Sequence, residues 1–377
     1  MKNIYFDHAA TTPMDPDVLE AMLPFFTEDF GNASSGTHHY GSKAKAAVNY
    51  SRKKIANAIN AEEGEITFNS GATEGINTIL KGVFDRYHTK GKHIISCKTE
   101  HKATLDCLDY LSSIGAEITY ISVNSNGMIN LQELEDSIRP DTILISFLFI
   151  NNETGVVFPV EKIGELAEQK KTLFFCDATQ ALGKTTVDVK KIKAAAMVFS
   201  AHKINGPKGV GALYCSRKNP RISFTPLLHG GSQEKQLRPG TLNVPGIVGF
   251  AKAVELIPEN NGGVEAFSSS IVNHLTNNGA VINGRKNGSL FNQHLIPHII
   301  NIQLPSIKAA RLIQLNPNFA FSLGSACNSE QKDPSHVLTA MGLTKKEIES
   351  SFRISIGKTT TKEEVEEFIQ KFKIQAI

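Results

Sequence analysis

The sequence predicts an α/β protein, with a mainly parallel seven-stranded sheet in a large domain and a smaller α+β domain beside it. Three observations predict this. Between Glu65 and Tyr214, short apolar stretches alternate with stretches whose apolar residues recur at helical spacing, the pattern of a sheet covered by helices. At 377 residues the chain exceeds what one hydrophobic core usually serves. Pro258-Glu259-Asn260-Asn261-Gly262-Gly263 then reads as a linker, and the pattern beyond it loosens.

In chain order, Asp15-Pro16 opens a helix by the cap-then-proline rule, and residues 42–59 read as a longer one. Strands are expected at 65–69, 93–97, 117–122, 142–150, 173–177, 195–200 and 211–215. Helices are expected between them at 74–87, 102–114, 131–139 and 160–170, and a further one at 244–257 leads out of the sheet. Past the linker, short strands are expected at 299–304, 319–323 and 352–356. Thr361 with Glu364 forms a capping box for a last helix, whose apolar stripe is Val365, Phe368, Ile369 and Phe372.

Composition narrows the function. With 41% hydrophobic and 20% charged residues the chain reads as an ordinary globular protein, and a net charge of +3 gives no reason to expect direct nucleic-acid binding. The first residues, Met1 to Asp7, lack the apolar stretch of a signal peptide, and the longest apolar run, 142–150, is too short to span a bilayer. The five cysteines (Cys97, Cys107, Cys176, Cys215, Cys327) are scattered, odd in number and without a C-x-x-C pair. That argues against a disulfide framework and a zinc site, and no metal is expected. A cytoplasmic enzyme without a membrane partner is the default.

Several residue types stand where chemistry would need them. Asp177 ends one expected strand and Lys203 follows another, so a carboxylate and an amine would lie at neighbouring strand ends. Such a pair suits a cofactor needing a charge on one side and an amine on the other, although either residue alone could be a solvated surface group. Ser70-Gly71-Ala72-Thr73-Glu74 joins a strand to a helix, and the free N–H groups there would hold a phosphate. By itself this is also an ordinary turn with an N-cap; Ser200, His202 and Thr241 would strengthen it if the strand order brings them near.

His101, at a helix start, is either a surface residue or a ring-stacking and proton-transfer group. Asn151-Asn152-Glu153-Thr154-Gly155 is a turn at the C-terminal edge of the sheet, where ligands bind in such folds. Gly324-Ser325-Ala326-Cys327-Asn328-Ser329 surrounds a thiol with small residues, which suits a reactive cysteine. Arg353, a cation amid apolar residues, is either paired internally or aimed at a carboxylate.

These segments together carry a resemblance that none carries alone. Asp7-His8-Ala9-Ala10-Thr11-Thr12-Pro13, Gly31-Asn32-Ala33-Ser34-Ser35, Ser70 to Glu74, Thr99-Glu100-His101 and Asn151 to Gly155 are followed by Asp177-Ala178-Thr179-Gln180 and Ser200-Ala201-His202-Lys203. His229 to Glu234, Arg238-Pro239-Gly240-Thr241, Gly324-Ser325-Ala326-Cys327 and Arg353 complete the set. The chain resembles the class V, fold-type I pyridoxal-phosphate enzymes, and within them the NifS/IscS-like cysteine desulfurases.

The resemblance implies pyridoxal 5'-phosphate as cofactor and L-cysteine as substrate. Lys203 would hold the cofactor and move the substrate proton. Asp177 would pair with the ring nitrogen, Gln180 with the ring hydroxyl, and His101 would stack on the ring. Ala72, Thr73, Ser200 and His202 would hold the phosphate, with Thr241 reaching over from the second subunit of a homodimer. Asn152 and Arg353 would bind the substrate carboxylate. Cys327 would take the sulfur as a persulfide and pass it to an acceptor protein. The expected division is 13–257 for the large domain, against 1–12 with 258–377 for the small one.

Departures fall around the cysteine. The family's Ser-Ser-Gly-Ser-Ala-Cys is here Ser322-Leu323-Gly324-Ser325-Ala326-Cys327, the approach 305–311 lacks the usual Gly-Glu pair, and 285–298 looks unlike the family. They bear on loop reach and partner choice. The rivals are a selenocysteine lyase, a small-substrate aminotransferase, and a non-catalytic sulfur-relay subunit. Iron–sulfur cluster assembly, tRNA thiolation and DNA phosphorothioation all draw on such enzymes.

Overall fold

The apolar runs that predict strands bury both of their faces. In the computed structural model, which describes residues 3–218, 220–260, 263–284, 294–305, 307–323 and 334–374, neighbouring residues enter opposite cores. Phe174, Cys176, Met197 and Phe199 pack on one side of the large sheet, and Phe175, Val198, Leu144 and Leu213 on the other. The helices Ala72–Tyr87 and Lys102–Ser113 cover the second side, and His39–Ala58, Val160–Gln169 and Val244–Glu255 cover the first. A strand buried on two faces reads as continuous apolar sequence, which is why periodicity alone located these.

After β1 (Ile4–Tyr5), the large sheet takes β2 (Ile66–Asn69), β3 (His93–Cys97), β4 (Glu117–Ile121), β5 (Thr142–Leu148), β6 (Leu173–Asp177), β7 (Ala196–Ser200) and β8 (Gly211–Cys215). Their order is β2-β8-β7-β6-β5-β3-β4. All pairings are parallel except those of β8, which is antiparallel to both β2 and β7. Two reversals cancel, so β2 runs in the same direction as β7. The loops after β2, β3, β5, β6 and β7 therefore leave from one edge, the C-terminal edge where such folds bind ligands.

A second apolar core gathers both ends of the chain. Ile4 and Phe6 pack with Ile302, Phe352, Ile354 and Phe368, around β9 (Val281–Ile282), β10 (Ile299–Gln303), β11 (Phe319–Ala320) and β12 (Ser351–Ser355). β12 and β9 flank β10 antiparallel, and β1 pairs parallel with β11. The last helix, Lys362–Lys371, carries the expected capping box and lays Phe368 against Phe372 with ring centroids 4.4 Å apart.

The differences from expectation lie at element ends. The strand expected to reach Ile150 stops at Leu148, because Ile150 turns to bridge Val157. The strand expected over 319–323 keeps two residues, and Ser322 instead makes an isolated bridge to Arg353. The helix expected from residue 42 starts at His39, where the His38 ring accepts from Gly41 N in place of a standard cap. The helix expected to end at residue 139 ends at Ser137.

Candidate active site

Five strand-end loops and the N-terminal segment enclose one cavity of about 470 Å³. Ala72, Thr73, His101, Asn152, Asp177, Gln180, Ser200, His202, Lys203 and Arg353 all line it. Thr241 does not; it is exposed and lines a separate small pocket with Asn69 and Arg238. Cys327 and the rest of 324–333 lie outside the described residues.

At one end of the cavity, Gly71 adopts φ 147° and ψ −176°, a conformation essentially reserved for glycine. It turns the chain from β2 straight into the helix Ala72–Tyr87, and no side chain caps that helix. Asn69 Oδ1 accepts from Gly71 N at 3.0 Å and Glu74 Oε2 from Ser70 N at 2.9 Å, while Arg238 holds Glu74 in place. The turn is thus braced from behind, and the positive end of a 16-residue helix opens on the cavity. Across from it, His202 shares a 3.1 Å hydrogen bond with Thr11. Burial first, then the charges of Lys203, Lys208 and Lys184, lower the His202 pKa to about 4, so its ring is neutral at pH 7.

At the other end, Asp177 is buried at the tip of β6, accepting from Thr179 N at 2.9 Å and from the Thr179 hydroxyl. Lys203 Nζ donates to the carbonyls of Ala9 and Ala10, both at 2.7 Å. Gln180 Nε2 donates to Ala9 O at 2.8 Å, and its Oε1 is buried without a partner. His101 caps the helix Lys102–Ser113, its Nδ1 accepting from Ala103 N at 3.1 Å, which fixes the ring's orientation. Arg353, 1% exposed, donates from Nη2 to Asp7 Oδ1 at 2.6 Å and from Nη1 to Asn152 O at 2.8 Å, while Nε has no partner.

Some contributors carried no sequence signal as single residues. The carbonyls of Ala9 and Ala10, Thr11 and Asp7 sit in the motif Asp7 to Pro13, whose role is legible only once β1 and β11 bring the N-terminus beside β7. Glu100 stands between Thr99 and His101 in a segment whose sequence gives it no role. It is buried beside Asp177, accepts from Leu148 N at 2.6 Å, and its pKa is raised well above the usual carboxyl range by burial and by the Asp177 charge. The four described cysteines are all buried. Burial raises the Cys97 thiol to about 12 and Cys107 to about 11, and pushes Cys176 and Cys215 up as well.

This architecture, with a lysine and an acid at strand ends facing an uncapped helix, matches the family described as aminotransferase class-V over residues 4–368. The chain belongs to that family, whose members are generally pyridoxal-phosphate-dependent enzymes. Within it the chain is similar to the cysteine desulfurase IscS of Serratia proteamaculans, 44% identical over 97% of this chain and 91% of the relative. Among solved structures it is similar to a NifS-like protein (TM-score 0.90, 36% identity, 98% of each chain). It is also similar to SspA, solved in complex with cysteine (TM-score 0.83, 35% identity, 94% of this chain and 99% of that one).

Proposed function

We propose that this chain is a cysteine desulfurase, converting L-cysteine to L-alanine and carrying the sulfur on Cys327 as a persulfide to an acceptor protein. The observation that carries this reading is the single cavity in which Lys203, Asp177, His101 and Arg353 meet an uncapped helix start. The donor set fits pyridoxal phosphate. Ala72, Thr73, Ser200 and His202 would hold its phosphate, Asp177 its ring nitrogen, and Gln180 its hydroxyl through the N–H that Ala9 does not use. When bound, that group supplies an electron sink for charge at the substrate α-carbon.

The chain's own residues do the rest. Lys203 Nζ would hold the cofactor and then carry the α-proton. The His101 ring, oriented by its Nδ1 accepting from Ala103 N, would stack on the cofactor and assist proton transfer. Arg353, oriented by Asp7 and Asn152, would fix the substrate carboxylate, and its unpartnered Nε supports that role. In the transfer the Cys327 thiolate attacks the substrate sulfur. An S–S bond forms as the C–S bond breaks, and the carbon keeps the electron pair and takes a proton. One cysteine and one Cys327 thiol become one alanine and one persulfide.

The flanks of the cysteine segment support this. Ser322 exchanges backbone hydrogen bonds with Arg353 at 2.7 and 3.1 Å. On the far side Ser335 Oγ donates to Glu153 Oε2 at 2.6 Å, and His336 Nε2 meets Glu100 O at 2.8 Å. The described residues on either side are thus anchored at the proposed carboxylate-binding residue and at the turn preceding His101.

A homodimer that supplies Thr241 from the partner subunit belongs to the same reading. Its support is a run of exposed apolar side chains, Leu19, Leu23, Phe26, Phe30 and Tyr40. The division into 13–257 and 1–12 with 258–377 rests on the separate core around Phe6 and Phe352. Among the described residues no helix is long and apolar enough to cross a membrane. Four unpaired cysteines support a reducing compartment, the cytoplasm.

Two variants test the reading. Lys203→Ala should lose the visible absorption band that the purified wild type shows with its cofactor. Cys327→Ala should keep that band and lose sulfur release in a single turnover with cysteine by 100-fold or more. Sulfide release at the wild-type rate from Cys327→Ala would overturn the persulfide step and favour an aminotransferase, which has no use for that thiol.

A further inference from the structure

Lys203 also lines a second cavity, of about 110 Å³, which Asp177 does not line. It lies where the large sheet's loops meet the small core, between Gly183-Lys184, Leu256 to Pro258, His8, His298 and Ile356 to Lys358. Most of its lining is apolar, and among the described residues no carboxylate lines it. Beside Thr12 and Asn205, its polar side chains are all bases.

Three of these bases have unpartnered buried nitrogens: Lys184 Nζ, His8 Nδ1 and His298 Nδ1. Both histidines are buried, at 3% and 5% exposure. The other two cations on the wall are already engaged. Lys358 pairs with Asp15 at 2.8 Å, and Lys203 donates to the Ala9 and Ala10 carbonyls. A buried polar atom without a partner is costly, and native structures supply one from protein, water or ligand. Here the residues that carry all three such atoms line one space.

The sign of the wall selects the partner. Lys184 is disfavoured as a cation by burial and by Lys203, and its pKa falls to about 7. The same burial, with Lys184 nearby, lowers His8 to about 4 and His298 to about 3. Water could satisfy the hydrogen bonds but would leave the charged forms of the bases disfavoured. A negative charge removes both problems, because an opposite charge in a desolvated site favours the charged form of the base.

We propose that the His8–Lys184–His298 cavity is a binding site for a small monovalent anion of halide size. The volume sets the size: about 110 Å³ holds a few waters at roughly 30 Å³ each, or one halide with a water. The wall sets the charge, since one readily protonated amine and two imidazoles match one negative charge. Ile204, Leu256, Ile257 and Ile356 line the remainder, which favours a weakly hydrated ion. The site stands apart from the substrate cavity and does not depend on the reaction proposed above.

Sodium bromide is the probe. Purified full-length protein is melted in rising bromide, with sodium gluconate exchanged out at constant ionic strength. A saturable rise in Tm is expected, by linkage of binding to the native state. Lys184→Met should weaken its half-saturation at least tenfold. No saturable rise, or an unchanged half-saturation in Lys184→Met, overturns the proposal. Should that variant fail to fold, His298→Phe takes its place, with bromide-soaked wild-type crystals as a second measurement. An anomalous peak in contact with Lys184 Nζ supports the site, and ordered water alone in the cavity overturns it.

Discussion

Burial and the Asp177 charge hold the Glu100 carboxyl well above the usual carboxylate range. Two buried acids lie side by side at the cavity, and the deeper burial of Glu100 and the like charge both disfavour its ionisation. The folded protein therefore holds a proton at Glu100 that the unfolded chain releases above the ordinary carboxyl range. Each pH unit beyond that range weakens the fold by up to roughly 1.4 kcal/mol for one such proton. Glu100→Gln keeps an oxygen for Leu148 N and removes the titration. Urea denaturation should show the variant gaining stability over wild type at pH 8 and little or none at pH 4. A gain of equal size at both pH values would mean that Glu100 is ionised in the fold. Glu100 stands in the segment Thr99-Glu100-His101, but nothing in the sequence marks its raised pKa, because its carboxyl neighbour Asp177 is 77 positions away and the pairing of β5 with β6 brings them together.

The turn after β2 shows what one element contributes. Gly71 is its hinge, and a Cβ there would meet only Ser200 Oγ, at an ordinary contact distance of 3.6 Å. The objection to a side chain is conformational, a matter of φ rather than of room. Gly71→Ala should cost about 1–3 kcal/mol in urea denaturation, and it should weaken cofactor retention by tilting the uncapped helix start. A variant as stable as wild type would show that the turn can relax. Elements of this kind were legible in outline. The strands of the large sheet were located to within a residue or two at most ends, because burial on two faces leaves an unbroken apolar run. Their direction was not legible: Gly211 to Cys215 is as apolar as its neighbours, and nothing in it says that β8 runs backwards. In the small core, 319–323 looked like a full strand because Phe319 and Phe321 alternate, yet after Ala320 the chain pairs only once, at Ser322 with Arg353.

At the scale of the whole molecule, the cavity is assembled from both ends of the chain. Asp7 and Arg353 are 346 positions apart, and their pairing holds Arg353 in the corner of the cavity proposed to bind the substrate carboxylate. No local pattern shows such a corner; the resemblance placed Arg353 there, and the fold supplied Asp7 as its anchor. The proposed dimer is the next level of the same assembly. Phe26 and Phe30 are 58% and 63% exposed, large for isolated surface aromatics, and Phe30 stacks on the equally open Tyr40. Sedimentation should find the wild type dimeric, and Phe26→Asp with Phe30→Asp should give a monomer with at least tenfold lower turnover. A wild type that sediments as a monomer while fully active would remove both the dimer and the role of Thr241.

The seclusion of Cys97, Cys107, Cys176 and Cys215 has a practical side. With those four thiols shut away and held protonated, an alkylating reagent applied to the native protein should add at most one label per chain, and denaturation should raise the count to five. A second label on the native chain would show that one of the four is open to solvent. The protein thus carries its own blank for assays of sulfur transfer. It also means that a sulfur atom parked on Cys327, as proposed above, would find none of these four inner thiols on which to go astray, and would leave to an outside recipient or stay where it is.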